Sequence, residues 1–271
     1  MPGQDEIRDI MATANALADA AGAQILPHFR TTGGLTAESK ETERFDPVTV
    51  ADRAAERAMR EVLAARRPQD AILGEEYGRS EGTSGLTWVL DPIDGTRGFM
   101  SGTPTWGVLI AVGPDSGPAF GIIDQPYTGE RFWGGYGEAA MTGPLGKRAL
   151  ATRRTERLED AILFTTFPEI GSCREAAAFR AVADRVRLVR YGTDCYAYAL
   201  VAAGQIDLVI EAGLHAYDVQ APIAVIEAAG GVATDWTGGP AHQGGRIIAA
   251  ANPAIHRAAL DLLAPIIAEE A

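Results

Sequence analysis

Asp91 and Asp94 stand three residues apart in Thr87-Trp88-Val89-Leu90-Asp91-Pro92-Ile93-Asp94-Gly95-Thr96-Arg97, with Pro92 between them and a Gly-Thr pair directly behind. Hard carboxylate oxygens suit Mg²⁺, and backbone N–H groups at a helix start suit a phosphate. Three more acidic features, Asp52, Glu75-Glu76 and Asp218, fall at the ends of apolar runs. Together they are enough donors for two ions about 3.5 to 4 Å apart, which can orient a phosphate, activate water and stabilise a leaving oxygen. The residues alone leave a second reading open, in which Asp91-Pro92 is a turn and Asp94, Asp52 and Asp218 are helix caps. Other chemistries lack their residues. The four histidines show no zinc-ligand spacing, and there is no G-x-S-x-G elbow, P-loop or dinucleotide glycine fingerprint.

These acids need a scaffold to meet. Ile7, Ile10, Met11, Ala14, Leu17, Ala18, Ala21 and Ile25 recur at helical steps and predict one long amphipathic helix running to about Phe29, with His28 as a surface or capping residue. Residues 31–47 are polar, and read as a loop or irregular hairpin able to act as a lid. A helix follows to Pro68, with Asp52 as its N-cap, and Ala71-Ile72-Leu73 is a short buried strand leading into Gly74-Glu75-Glu76. Pro92 is expected to stop strand pairing and leave both aspartates on the turn. Gly107–Val112, Ala119–Asp124 and Arg131–Tyr136 form an antiparallel meander with Trp106, Trp133 and Tyr136 as sheet core. The basic stretch 143–159 is the expected seam between halves. Beyond it strands (161–166, 187–191, 206–211, 246–251) alternate with helices (174–184, 194–203, 218–229), and Asn252-Pro253 opens a last helix. Such alternation means α/β layering.

The chain has 271 residues, of which 46% are apolar, and a formal charge of −12. A nucleic-acid binder would need a basic face, and no dense Lys/Arg run appears. The negative balance requires cations before a phosphate ester is held, and favours a substrate with positive charge of its own. Cys173 and Cys195 have neither disulfide-framework nor metal spacing, and no stretch approaches a membrane span, so the sequence reads as cytoplasmic, with no nucleic-acid or membrane partner.

Gly74-Glu75-Glu76, then Trp88-Val89-Leu90-Asp91-Pro92-Ile93-Asp94-Gly95-Thr96, then Tyr217-Asp218 leading into Ala228-Ala229-Gly230-Gly231, resemble the ordered signatures of the inositol monophosphatase family. The resemblance implies a layered αβαβα sandwich (α/β, or α+β) and an Mg²⁺-dependent, lithium-sensitive phosphomonoesterase with two or three ions, Mn²⁺ being an alternative. It implies that Glu75, Asp91 and the Ile93 carbonyl hold one metal, and that Asp91, Asp94 and Asp218 hold the second. Thr96 and Asp52, with Glu75, would serve catalysis by orienting the attacking water, and the N–H groups of Gly95 and Thr96 would bind phosphate. Lys40 would approach a third, weaker metal, and Glu76 would support from behind. Residues 1–145 would carry the metal motifs and 146–271 would complete the metal site and substrate pocket. A homodimer is implied by the family alone.

Within that family, Tyr191-Gly192-Thr193-Asp194-Cys195-Tyr196-Ala197-Tyr198 and Asp124-Gln125-Pro126 resemble the histidinol-phosphatase branch. Asp194 and Glu211 fall at the family's substrate-lining positions. Two carboxylates beside the leaving group suit an alcohol bearing an ammonium and an imidazole. The resemblance therefore implies hydrolysis of L-histidinol phosphate; an inositol, sugar or nucleotide phosphatase is the nearer alternative, and a non-catalytic regulatory protein the remoter one. The bland reading makes Asp194 a helix N-cap and Glu211 a strand-end surface acid.

Overall fold

The computed structural model describes residues 2–32, 38–39 and 47–268, so Lys40 and most of the 31–47 segment lie outside the described residues. Helix α1 (Gln4–Ile25) buries Ile10, Ala14, Leu17, Ala18, Ala21 and Ile25, the face its periodicity predicts. Strands β1 (Glu38–Ser39) and β2 (Pro47–Val48) pair antiparallel ahead of helix α2 (Val50–Arg66). Helix α2 sets Ala55, Met59 and Leu63 in one core with α1.

An eight-stranded sheet lies under both helices. Its strands are β3 (Ala71–Gly74), β4 (Gly78–Ser80), β5 (Thr87–Asp94), β6 (Gly107–Gly113), β7 (Phe120–Gln125), β8 (Glu130–Gly135), β9 (Glu138–Gly143) and β10 (Gly146–Ala149), ordered β10-β9-β8-β7-β6-β5-β3-β4. The short helix α3 (Thr96–Ser101) sits between β5 and β6. A second, five-stranded sheet is built from β11 (Ile162–Thr165), β12 (Leu188–Tyr191), β13 (Leu208–His215), β14 (Val232–Thr234) and β15 (Gly244–Ala250), ordered β12-β11-β13-β15-β14. Helices α4 (Cys173–Ala183), α5 (Asp194–Ala202), α6 (Ala216–Ala228) and α7 (Pro253–Ala268) complete the chain.

Alternation along the strands assigns the layers. Trp88 and Leu90 of β5 pack with α1 and α2, whereas Val89 packs with α5 and α6. In the second sheet Leu208 and Ile210 pack with α4 and α7, whereas Val209 joins the core of α5 and α6. The order is therefore αβαβα, and coverage on both faces explains why every residue of β6 and β7 is buried. Close approach of α6 to the first sheet needs missing side chains: a Cβ on Gly121 or Gly134 would meet the α6 backbone at 2.7 Å.

Several expectations are corrected. Pro92 does not end strand pairing: β5 resumes opposite β6 at Asp94, after a bulge that sets Asp91–Asp94 against Leu109–Gly107. Strand β13 runs on to His215 through a second irregularity. Strands β4 and β14, three residues each, carry too little periodicity to be read from sequence. Trp133 and Tyr136 are half-buried rather than core. The first sheet continues past residue 145, because β10 pairs with β9 from Gly146↔Gly143 to Ala149↔Ala140, taking Lys147 and Arg148 out of the supposed seam.

Candidate active site

The acidic cluster forms where the two sheets face the middle helices. Parallel pairing of β3 with β5 aligns Gly74 with Leu90, and the Glu75 N–H donates to the Leu90 carbonyl at 3.1 Å. Two carboxylates sixteen positions apart, Glu75 and Asp91, thus leave neighbouring strands side by side. Asp91 is 2% exposed and its Oδ1 accepts the Ile93 N–H at 3.0 Å across the bulge. Past the bulge, Asp94 accepts the Cys195 N–H of α5 at 2.7 Å, which ties the first sheet to a residue 101 positions away. Asp218 comes from the first turn of α6, where its carboxylate accepts the His215 N–H at 2.6 Å.

One carboxylate oxygen from each of Asp91, Asp94 and Asp218 lies within 4.8 Å of the others. Glu75, Ile93, Gly95 and Thr96 line the same cavity of about 340 Å³, as do Asp194 and Glu211. Burial, then the Glu75, Asp94 and Asp218 charges, push the Asp91 carboxyl well up; burial, then Asp218 and Asp194, do the same to Asp94. Asp218 is pushed up to about 7 by burial, with further contributions from Glu75 and Glu211. Such crowding is unfavourable by itself, and a divalent cation relieves it. The donors are hard, close and all oxygen, as Mg²⁺ requires. The Ile93 carbonyl accepts the Thr96 hydroxyl at 3.0 Å. Gly95 takes φ +82° to start α3, and a Cβ there would stand 2.8 Å from the Asp194 Cγ.

Asp52 is placed differently from its sequence reading. Thr49 is the N-cap of α2, its hydroxyl accepting the Ala51 N–H, while Asp52 sits at the third helical position and accepts the Thr49 N–H at 2.8 Å and its hydroxyl at 2.5 Å. It is 1% exposed and is not among the cavity-lining residues. Burial pushes its carboxyl up to about 6, with Glu75 and Glu76 adding to the rise.

Asp194 and Glu211 also depart from their bland readings. Thr193, not Asp194, precedes the first turn of α5; Asp194 begins the helix at φ +43° and accepts the Thr105 hydroxyl at 3.2 Å. Glu211 is no surface acid, being 6% exposed on the same face of β13 as Val209. Its oxygens accept the Thr166 N–H at 2.9 Å, the Thr166 hydroxyl at 2.5 Å and the Tyr198 hydroxyl at 2.8 Å. Burial raises both carboxyls, and these donors oppose the rise at Glu211. Thr166 and Tyr198 line the cavity, yet neither is given a role by the sequence: Thr166 only ends a predicted strand, and Tyr198 only closes the Tyr191–Tyr198 segment that carries the branch resemblance.

The sequence pattern of the inositol monophosphatase family matches residues 6–269. The chain belongs to this family. It is 43% identical over 235 residues to the chloroplastic bifunctional phosphatase IMPL2 of Arabidopsis thaliana, covering 86% of this chain but only 66%, just under two thirds, of that protein. It is 34% identical over 244 residues to the histidinol-phosphatase of Mycobacterium tuberculosis, covering 89% and 93% of the two chains. The solved inositol monophosphatase of Zymomonas mobilis superposes with a TM-score of 0.84 at 36% identity, over 97% of this chain and 100% of that one. The chain is thus a phosphatase of a family whose phosphatases are Mg²⁺-dependent, and the acidic cluster could hold metal. Among the described residues no helix is long and apolar enough to cross a membrane.

Proposed function

We propose that this phosphatase hydrolyses L-histidinol phosphate to L-histidinol and phosphate. The observation that carries the reading is the pairing, in one cavity, of the acidic cluster with two further carboxylates, the half-buried Asp194 and the buried Glu211. A neutral polyol gives two carboxylates drawn back from bulk water little return, whereas an ammonium or imidazolium satisfies them with charge-assisted hydrogen bonds. Likeness to a histidinol-phosphatase over most of both chains supports the same choice.

In this reading Glu75, Asp91, the Ile93 carbonyl, Asp94 and Asp218 would hold Mg²⁺, which when bound neutralises phosphate charge and acts as a Lewis acid. The Gly95 and Thr96 N–H groups orient the phosphate. Asp52 and Thr96, with Glu75, orient the attacking water, whose oxygen bonds to phosphorus as the ester P–O bond breaks. Asp194 and Glu211 hold the departing alcohol. Histidine biosynthesis, a cytoplasmic setting and a homodimer belong to the same reading, and sedimentation velocity tests the dimer. An inositol phosphate substrate is the second reading, favoured by the structural likeness to an inositol monophosphatase. Phosphate release from the two esters separates them: faster turnover of inositol phosphate contradicts the proposal.

A further inference from the structure

Glu56 lies one helical turn beyond Asp52 on the same face of α2, and it is fully buried. A buried carboxylate needs compensation, and its donors are specific. Oε2 accepts the Glu76 N–H at 2.6 Å, and Oε1 accepts the Tyr77 N–H at 3.2 Å and the Arg60 Nε–H at 2.8 Å. Both backbone donors belong to the turn joining β3 to β4, which carries Glu75. The peptide after Glu75 is therefore held by Glu56, and the peptide before it by the Leu90 carbonyl. Room for this contact is made by Gly74, where a Cβ would stand 2.0 Å from the Glu56 Oε1. Gly74 has no left-handed φ, so its lack of a side chain answers a steric demand and not a conformational one.

We propose that Glu56 is a positioning residue for the metal site, fixing the Glu75 backbone so that its carboxylate enters the cavity beside Asp91. The inference rests on the reading of Glu75 as a metal ligand. Arg60 completes the clamp from the rim: it bonds Glu56, the Ser80 hydroxyl and the Gly78 carbonyl, so it fastens helix α2 to strand β4 across the turn. Helix α2 thereby presents two acids at i and i+4, Asp52 hydrogen-bonded to Thr49 at the helix start and Glu56 to the Glu75 turn.

Glu56→Gln keeps the size of the side chain but replaces one acceptor with an NH₂ group, which cannot receive a backbone N–H. Melting curves of the full chain with and without Mg²⁺, together with Mg²⁺ titration by calorimetry and by phosphate release, test the role. The expected result is a Mg²⁺ midpoint weakened roughly tenfold or more, as for other residues that orient metal ligands, a smaller Mg²⁺-induced rise in melting temperature, and a turnover largely restored at saturating Mg²⁺. A merely structural residue would lower both melting curves equally and leave the Mg²⁺ midpoint at the wild-type value, which would overturn the proposal. Should Glu56→Gln fail to fold, Arg60→Ala, at the partly exposed end of the clamp, decides by the same readouts, with a smaller shift in the same direction expected. If the wild-type protein itself shows no Mg²⁺ response, the metal-site reading fails and takes this inference with it.

Discussion

Replacing Asp94 with asparagine should stabilise the protein without metal and remove most of its stabilisation by metal. The acidic oxygens of Asp91, Asp94 and Asp218 approach within 4.8 Å of one another. Two unit charges at that distance repel by about 3.5 kcal/mol at an effective dielectric near 20. Uptake of protons at the cluster relieves part of this, so the gain from one neutral substitution is about 1–3 kcal/mol, or roughly 2–10 °C in melting temperature for a chain of this size. Asparagine keeps an oxygen for the Cys195 N–H, so the tie to α5 survives. With Mg²⁺ that advantage shrinks. A bound ion at a hundredfold excess over its Kd adds about 2.7 kcal/mol to the wild type, and the variant, short of one anionic ligand, loses most of that. The assay is a pair of melting curves in EDTA and in Mg²⁺, with phosphate release measured alongside. A lower melting temperature for Asp94→Asn in EDTA, or equal Mg²⁺ stabilisation of both proteins, would refute the argument that like charges are held together here for a cation.

Asp194→Ala removes a carboxylate from the proposed alcohol pocket, and should lower kcat/KM for histidinol phosphate by roughly 10- to 100-fold, the worth of a hydrogen bond to a charged group, while inositol phosphate turnover changes little; equal loss on both esters would count against a specificity role. Asp70→Ala strands the fully buried Trp88 indole N–H, which now donates to Asp70 at 2.8 Å, and should cost about 1–3 kcal/mol by urea denaturation at neutral pH. Burial works to raise the Asp70 carboxyl, but hydrogen bonds from Arg67, Ser84 and Trp88 outweigh it and hold the group below its ordinary value. The depressed carboxyl contributes stability at neutral pH that is lost as pH falls through its folded-state pKa, so the gap between wild type and variant should narrow in acid. A gap independent of pH would contradict that assignment.

The layered fold and the acidic cluster were legible because their signals are contiguous. Asp91 and Asp94 share one strand end, and each apolar run ahead of an acid is a strand or helix that delivers it. Glu75 and Asp218 became partners of that strand only through family resemblance, since nothing local states that β3 pairs parallel to β5 or that α6 starts beside them. What stayed illegible depends on folding. Pro92 reads as a terminator, but the sheet absorbs it in a bulge, where Pro92 and Ile93 of β5 together stand opposite Val108 of β6. Asp52 reads as a cap because Thr49, the true cap, has the same chemistry three residues earlier. Glu56 has no signal of its own in the sequence, and only the packing of the β3–β4 turn against α2 buries it. Glu211 is placed at the pocket by the family resemblance alone, because its donors, Thr166 and Tyr198, arrive from two other elements.

The central claim is that this metal-dependent site selects a phosphate ester by the positive charge of its alcohol. The most direct test measures kcat/KM for phosphate release from L-histidinol phosphate, inositol 1-phosphate and 3′-phosphoadenosine 5′-phosphate, each with Mg²⁺ and with EDTA. Histidinol phosphate should be strongly preferred, and EDTA should abolish all release. Preference for either of the other esters, or turnover that survives EDTA, would contradict the claim.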